Sequence, residues 1–304
     1  MEFYGSDKPD IRFENKILNV TEYFKNTNFK IFKNIYDSKK RIGSLFIEDE
    51  ISKNDIKKLE KIANDNGAKG LAFIYLKNGR ISSGSIANVI EKEIIEKISK
   101  DNKLENGTLF FVADKKDVVL QSLGSIRKEF PNISKTIKMS AEFAFLWVID
   151  WPLFEYNEED GTYAAAHHPF TSPTLETIHD FDTNKKDAKG ESYDIVLNGY
   201  EIGGGSIRIH DKNVQSRMFK CLGLSDEEVN KKFGFLINAF SYGVPPHGGI
   251  ALGVERILML MLKTNSIRDV IAFPKNSSGI DLLLDTPSDA SDEGLKDLGI
   301  TLKK

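Results

Sequence analysis

Residues Gly248 to Ile257 read GGIALGVERI, and their alternation of small with branched apolar side chains predicts a β-strand that something flat must approach. Glycine or alanine at Gly249, Ala251 and Gly253 keeps one strand face bare enough for a planar ring, while Ile250, Leu252 and Val254 are expected to bury the other. Glu255 and Arg256 then stand where strand gives way to helix. The continuation, Ile257 to Leu262, is apolar at every position, which predicts a helix packed on most sides. A guanidinium at such a junction can stack on a base or clamp a phosphate. The same residues also suit a glycine-rich buried strand whose arginine only pairs with a carboxylate.

Upstream, Tyr193 to Ile209 carries Asn198-Gly199 between apolar runs, the strongest short signal for a hairpin with a type I′ turn. A two-residue loop pairs Leu197 with Tyr200, Val196 with Glu201, Ile195 with Ile202 and Asp194 with Gly203. Asp194 and Glu201 then fall on one face as diagonal neighbours, about 7–8 Å apart along the backbone. Two hard oxygen ligands facing a groove suit Mg²⁺ escorting a polyphosphate better than zinc. An edge hairpin with two exposed acids is the plainer alternative. The run Gly203 to Gly205 favours a bulge or a close backbone approach over a plain strand. One extra residue there would also return Arg208 to the Glu201 face, where it could grip a carboxylate bidentately.

All five histidines, at 167, 168, 179, 210 and 247, lie in the C-terminal half. Adjacent His167 and His168 lack the spacing of a metal-binding helix, but His167, in a turn before proline, could donate to a ligand. His247, in a rigid Pro-Pro-His-Gly-Gly turn, is expected to border the same pocket. The chain contains no phosphate loop of the GxxxxGK[ST] type and no HExxH.

The first half reads as a compact α/β unit without evident chemistry. Ser52 and Asp55 predict a helix N-cap, Ile56, Leu59, Ile62 and Ala63 its buried stripe, and Gly67 its end. Leu71 to Leu76 reads as a strand closed by Asn78-Gly79, and Ile86, Val89, Ile90, Ile94 and Ile98 as a second helix. Thr108 to Ala113 is a strand, and Lys115 to Phe130 a helix with Val118, Val119, Leu123 and Ile126 inward. Phe143 to Tyr156, interrupted by Asp150 and Pro152, reads as one or two buried strands.

At 304 residues there is room for about two domains. A single cysteine, Cys221, precludes an intramolecular disulfide and a cysteine-built zinc site, which fits a reducing cytosol. With neither a signal-peptide pattern nor an uncharged apolar run of about 18 residues, the expectation is a soluble, cytoplasmic protein without a membrane partner. A net charge of −3 gives no global basic footprint for nucleic acid.

These segments carry a likeness. GGIALGVERI resembles motif 3 of the class II aminoacyl-tRNA synthetases, and AAAHHPF, YDIVLNGYEIGGGSIRIH, KFGFLINAFSYGVPPHGG and SIRDVIAFPK together resemble the bacterial-type aspartyl-tRNA synthetases. YGSDKPDIRF resembles the segment after motif 2, and residues from about 17 to 141 the inserted GAD domain. The resemblance implies an α+β fold: part of the class II antiparallel sheet with flanking helices, plus an inserted α/β domain. Residues 1–16 would belong to the catalytic core, 17–141 to the insert and 142–304 to the C-terminal half of the catalytic domain.

By resemblance, the activity is ATP-dependent activation of L-aspartate to aspartyl-adenylate and transfer to tRNA(Asp). His167 and Arg208 would contact aspartate, with Arg208 on its side-chain carboxylate. Asp194 and Glu201 would hold Mg²⁺ on the ATP phosphates, and Gly253, Val254, Glu255 and Arg256 would form the ATP site. Arg208, Arg256 and Glu201 would thus carry catalysis by positioning and charge neutralisation. The family's anticodon-binding barrel, motif 1 with its homodimer interface, and motif 2 with its α-phosphate arginine have no counterpart in the sequence. The expectation is therefore an incomplete half, inactive alone, with an exposed former interface. A nonenzymatic ATP- or aspartate-binding module, or a split-enzyme subunit, is the alternative.

Overall fold

The computed structural model describes residues 1–303; Lys304, the last residue of the expected C-terminal region, lies outside them. Two compact units, Met1–Ala251 and Leu252–Lys304, divide the chain. Helices and antiparallel sheet make up the fold, which is α+β.

In the first unit a five-stranded sheet is built from β1 (Leu18–Asn19), β2 (Arg41–Ile47), β3 (Ala72–Lys77), β4 (Arg80–Gly84) and β5 (Gly107–Asp114), in the order β1-β2-β5-β3-β4. Every pairing is antiparallel. Helices α1 (Lys30–Asp37), α2 (Lys53–Asp65), α3 (Lys92–Asn102) and α4 (Lys116–Ile133) alternate with the strands. Central β5 explains the layering. Its run Leu109-Phe-Phe-Val112 has no polar alternation because both faces are buried: Phe110 and Val112 pack with α2 and α4, and Leu109 and Phe111 with α1 and α3.

Local chemistry sets the helix ends. Ser52 Oγ accepts from the Asp55 amide to cap α2, and Ile56, Leu59 and Ala63 are buried. At the other end Gly67, at φ +88°, lets the Ala68 amide reach back to the Ala63 carbonyl. The second helix differs from its expected extent. It begins only at Lys92, so Ile86, Val89 and Ile90 lie in turns, with Val89 exposed, and Ile95 joins Ile98 in the core. The reason is Glu91: its carboxylate takes the Thr27 hydroxyl, 2.7 Å away, and the Asn28 amide, which holds the backbone extended ahead of the helix.

Beyond α4 come β6 (Phe145–Val148), β7 (Trp151–Pro152), β8 (Phe154–Asn157), β9 (Thr162–Ala165), β10 (Lys189–Gly190), β11 (Ser192–Leu197) and β12 (Tyr200–Ile207). Helices α5 (Lys212–Cys221) and α6 (Asp226–Phe240) follow, then β13 (Gly248–Leu252). The main sheet here has the order β13-β12-β11-β6. A small core of Leu153, Phe154, Phe181, Ile209 and Met218 lies beside it.

Three burial expectations fail in this half. Of Phe143 to Tyr156 only Leu153 and Phe154 are buried, whereas Phe145 and Trp147 are each 57% exposed. Ile250, Leu252 and Val254 are exposed as well. In the second unit α7 (Val254–Met261) buries only Met259, so the apolar run is not packed on most sides. The common cause is that an apolar pattern states which face could be covered and not whether these residues supply the cover. Helix α8 (Asp292–Asp297), capped by Ser291, lies near the C-terminus. Among the described residues no helix is long and apolar enough to cross a membrane.

Candidate active site

The β11–β12 hairpin turns at Asn198 (φ +52°) and Gly199 (φ +87°), the two left-handed positions of a type I′ turn. Asn198 is also a brace. Its side chain accepts from the Ala144 amide at 2.9 Å and donates to the Glu142 carbonyl at 2.8 Å, tying the turn to the chain that enters β6.

Leu197 pairs with Tyr200 and Val196 with Glu201, but the register then shifts, so that Ile195 faces Gly203 and Asp194 faces Gly204. The regular register through Ile202 and Gly203 is thus corrected by one residue. Ile202 is the extra one, placed before the glycines rather than among them. Because Asp194 and Val196 share a face of β11 and Glu201 lies opposite Val196, both carboxylates project from the same side of the sheet. Past the bulge, Gly204, Ser206 and then Arg208 alternate onto that side too.

The glycines serve close approach. A methyl group at Gly204 would collide with the Asp194 carboxylate, and one at Gly205 with the Gly249 carbonyl of β13. Asp194 is only 8% exposed. Burial, and after it the field of Glu201, pushes its carboxyl above the usual carboxylate range; Asp7 adds to this, and His167 opposes it. His167 Nε2 lies 3.7 Å from Asp194 Oδ1.

Arg208 follows β12. Its amide donates to the His247 carbonyl at 2.9 Å, and it bridges to Thr171. His168 accepts the Phe170 amide on Nδ1 at 3.1 Å. Burial, then Arg208, then His167 lower its pKa, which keeps it neutral near pH 7. The fold therefore gathers His167, Asp194, Glu201 and Arg208 around one sheet face, with the His247 backbone at its margin. Among the described residues no three His, Cys, Asp or Glu side chains form a metal-holding group. Two carboxylates on one face, with the charge of Glu201 disfavouring the ionised form of Asp194, fit a divalent ion that takes its remaining ligands from water and phosphate.

Gly253, Val254, Glu255 and Arg256 lie in the second unit. Gly253 is the extended N-cap residue of α7, and the other three form its first turn, all exposed. Asp7, whose charge acts on Asp194, and His168, whose neighbours are Arg208 and His167, received no role from the sequence. The available signals were the acid in the Gly-Ser-Asp-Lys-Pro-Asp run and the second histidine of the pair, but neither has a spacing that identifies a partner.

A family profile described as tRNA synthetases class II (D, K and N) matches residues 1–277. The chain is 71% identical over 304 residues, all of its length, to an aspartate–tRNA ligase of Malacoplasma penetrans, and covers 52% of that protein. It is 50% identical over 302 residues, 99% of its length, to an aspartate–tRNA ligase of Ureaplasma parvum, again covering 52% of the relative. The chain thus spans about half the length of the curated relatives it matches. Among solved structures, the Entamoeba histolytica asparaginyl-tRNA synthetase in complex with asparaginyl-adenylate is similar over 80% of this chain and 48% of its own. At 18% identity and a TM-score of 0.35 that likeness is too loose to place residues. On the extent of the profile match, the chain belongs to the class II tRNA synthetases of the D, K and N group.

Proposed function

We propose that this chain supplies the aspartate- and ATP-handling portion of a cytoplasmic aspartate–tRNA ligase. The single observation that carries the reading is the common face of Asp194 and Glu201, with His167 beside Asp194 and Arg208 on the same side, in a member of this synthetase family. Asp194 and Glu201 would hold Mg²⁺, which would supply charge neutralisation for the ATP phosphates. His167 and Arg208 bind L-aspartate, Arg208 by a two-pronged grip on the side-chain carboxylate. Gly253 to Arg256 contribute to the ATP site, with Arg256 against the adenine and terminal phosphate. The substrate's own α-carboxylate attacks the α-phosphate and pyrophosphate departs, so no side chain need move a proton. Catalysis comes from alignment and from neutralising the phosphates. The aspartyl group then passes to the terminal adenosine of tRNA(Asp). Residues 17–141 form the inserted domain between 1–16 and 142–304 of the catalytic domain, and the whole enzyme is a homodimer.

The exposed row Phe145, Trp147 and Ile149, together with the half-length match, favours a refinement: adenylation needs the rest of the enzyme to cover that row and complete the ATP site. The test is aspartate-dependent ATP–pyrophosphate exchange, with this chain alone and after mixing with the portion of the Malacoplasma penetrans ligase that it does not match. Exchange is expected only in the mixture and only with aspartate. Exchange by this chain alone would overturn the refinement. A mixture that remains inactive, while Asp194→Asn and Glu201→Gln leave Mn²⁺ binding unchanged, would overturn the assignment of the acids.

A further inference from the structure

Arg127 of α4 is 3% exposed, yet its guanidinium enters no short ion pair among the described residues. It donates instead to three backbone carbonyls of the N-terminal segment: Nε to Asn15 at 2.5 Å, and Nη2 to Phe13 at 2.6 Å and Asp10 at 2.9 Å. Its plane lies over the rings of Phe13, 4.0 Å away, and Tyr4, 4.7 Å away. Burial lowers its pKa to about 10, so it remains a cation at neutral pH. Burying such a group is costly unless its donors are used, and here the carbonyls and ring faces offset that cost.

Nearly one turn earlier on α4, Gly124 meets Gly5 backbone to backbone. A Cβ at Gly124 would stand 2.7 Å from the Gly5 carbonyl carbon and 2.8 Å from its Cα, and Gly5 itself sits at φ +63°. The segment is therefore fastened to α4 near both ends. Asp10, whose carbonyl Arg127 holds, also abuts the hairpin turn: a Cβ at Gly199 would be 3.4 Å from Asp10 Cβ. Lys128, beside Arg127, holds its Nζ 6.0 Å from the Tyr200 ring on the far side of the same turn. Glu201 is the next residue.

We propose that Arg127 is a positioning residue for the acid pair: by fixing residues 4–15 against α4 it sets the place of the Asn198–Gly199 turn, and through it of Glu201 and Asp194. The consequence for metal rests on the function proposed above. The five-stranded body is then a rigid bracket for the carboxylates as well as a packed unit.

Two lesions break the bracket differently. Arg127→Lys keeps the charge but loses the fork between the rings, and Gly124→Ala pushes Gly5 away with no charge change. Hydrogen exchange on the full chain should show the amides of residues 197–202 opening about tenfold faster in each variant, with β2 and β5 still protected. Mn²⁺ affinity, read by electron paramagnetic resonance, should fall about tenfold in both. A variant with β2 and β5 protected, a loosened N-terminal segment and an unchanged hairpin would overturn the proposal; so would an accelerated hairpin that binds Mn²⁺ as tightly as the unaltered chain. If one variant unfolds, the other decides. Should the unaltered chain show no Mn²⁺ binding sensitive to Asp194→Asn, the metal reading fails, and the exchange rates alone decide whether Arg127 positions the hairpin.

Discussion

The two large sheets use apolar residues in opposite ways. In the five-stranded sheet, helices cover both faces, and Phe110 and Phe111 on adjacent positions of β5 are both fully enclosed. In the four-stranded sheet, Phe145 and Trp147 of β6 share a face with Ile195, which pairs with Trp147, and the two aromatic rings are largely bare. The acids and Arg208 occupy the opposite side. One sheet is finished by its own helices; the other carries the proposed acid site on one side and an uncovered apolar surface on the other. Composition does not separate them, but the source of the covering residues does.

The largest expected effect sharpens this contrast. Phe110→Ala leaves a cavity between β5 and α4 and should cost about 3–5 kcal/mol, whereas Trp147→Ala removes a ring that is 57% exposed and meets only the edge of Tyr193, and should stay within about 1 kcal/mol. Urea unfolding followed by circular dichroism measures both. Equal losses would mean that the Trp147 face is covered in solution, by self-association for instance. Such a result should then disappear on dilution.

Next in size is Gly204→Ala. The added methyl occupies the space of the Asp194 carboxylate, so relief requires the side chain or the strand to shift, at about 1–3 kcal/mol. Mn²⁺ affinity should fall in parallel. Gly70→Ala, where a Cβ meets nothing within 4 Å, is the control that should change neither. A Gly204→Ala chain with full Mn²⁺ affinity would place the metal away from Asp194.

What could be read from the sequence follows the same division. Features determined within a few residues were legible: the Asn198-Gly199 turn, the Ser52 cap and the inward positions of α4 follow from backbone preference and periodicity. The start of α3 was obscured because Ile86, Ile90, Ile94 and Ile98 keep helical spacing across a turn, and the cap at Glu91 is stabilised by Thr27 and Asn28, more than sixty positions away. The bulge was inferred from the glycines but falls at Ile202, since Gly204 and Gly205 make room for Asp194 and Gly249 instead. Exposure of Ile250 and Val254 was illegible for a different reason: amphipathy is a property of a segment, and burial is a property of what meets it.

A third prediction concerns the bare face directly. Trp147→Lys should lower binding of a hydrophobic dye and the tendency to associate, with little change in the unfolding midpoint, because the ring is 57% exposed and meets the Tyr193 ring only edge-on, 6.0 Å between centroids. A midpoint that drops by as much as in Phe110→Ala would show that the ring is structural.

The smallest effect lies on the opposite side of that sheet and depends on pH. Asp194 is pushed above the ordinary carboxylate range by burial first and by Glu201 second. A carboxyl with a raised native pKa binds its proton more tightly when folded. Its stabilising contribution is therefore complete below the unfolded value, near 3.9, and is lost as pH rises through the native one. Asp194→Asn imitates the protonated form, so at pH 8 without metal it should match or exceed the unaltered chain by up to about 1 kcal/mol. The gap should close toward pH 4. A divalent ion reverses the order: at ten times its dissociation constant Mn²⁺ stabilises a folded binder by about 1.4 kcal/mol, which the Asn variant largely forfeits. The two stability curves should consequently cross on addition of Mn²⁺ at pH 8 and not at pH 4. Parallel curves under both conditions would mean that the acid face bears its repulsion for some purpose other than metal, and would remove the chemical distinction between the two sheets.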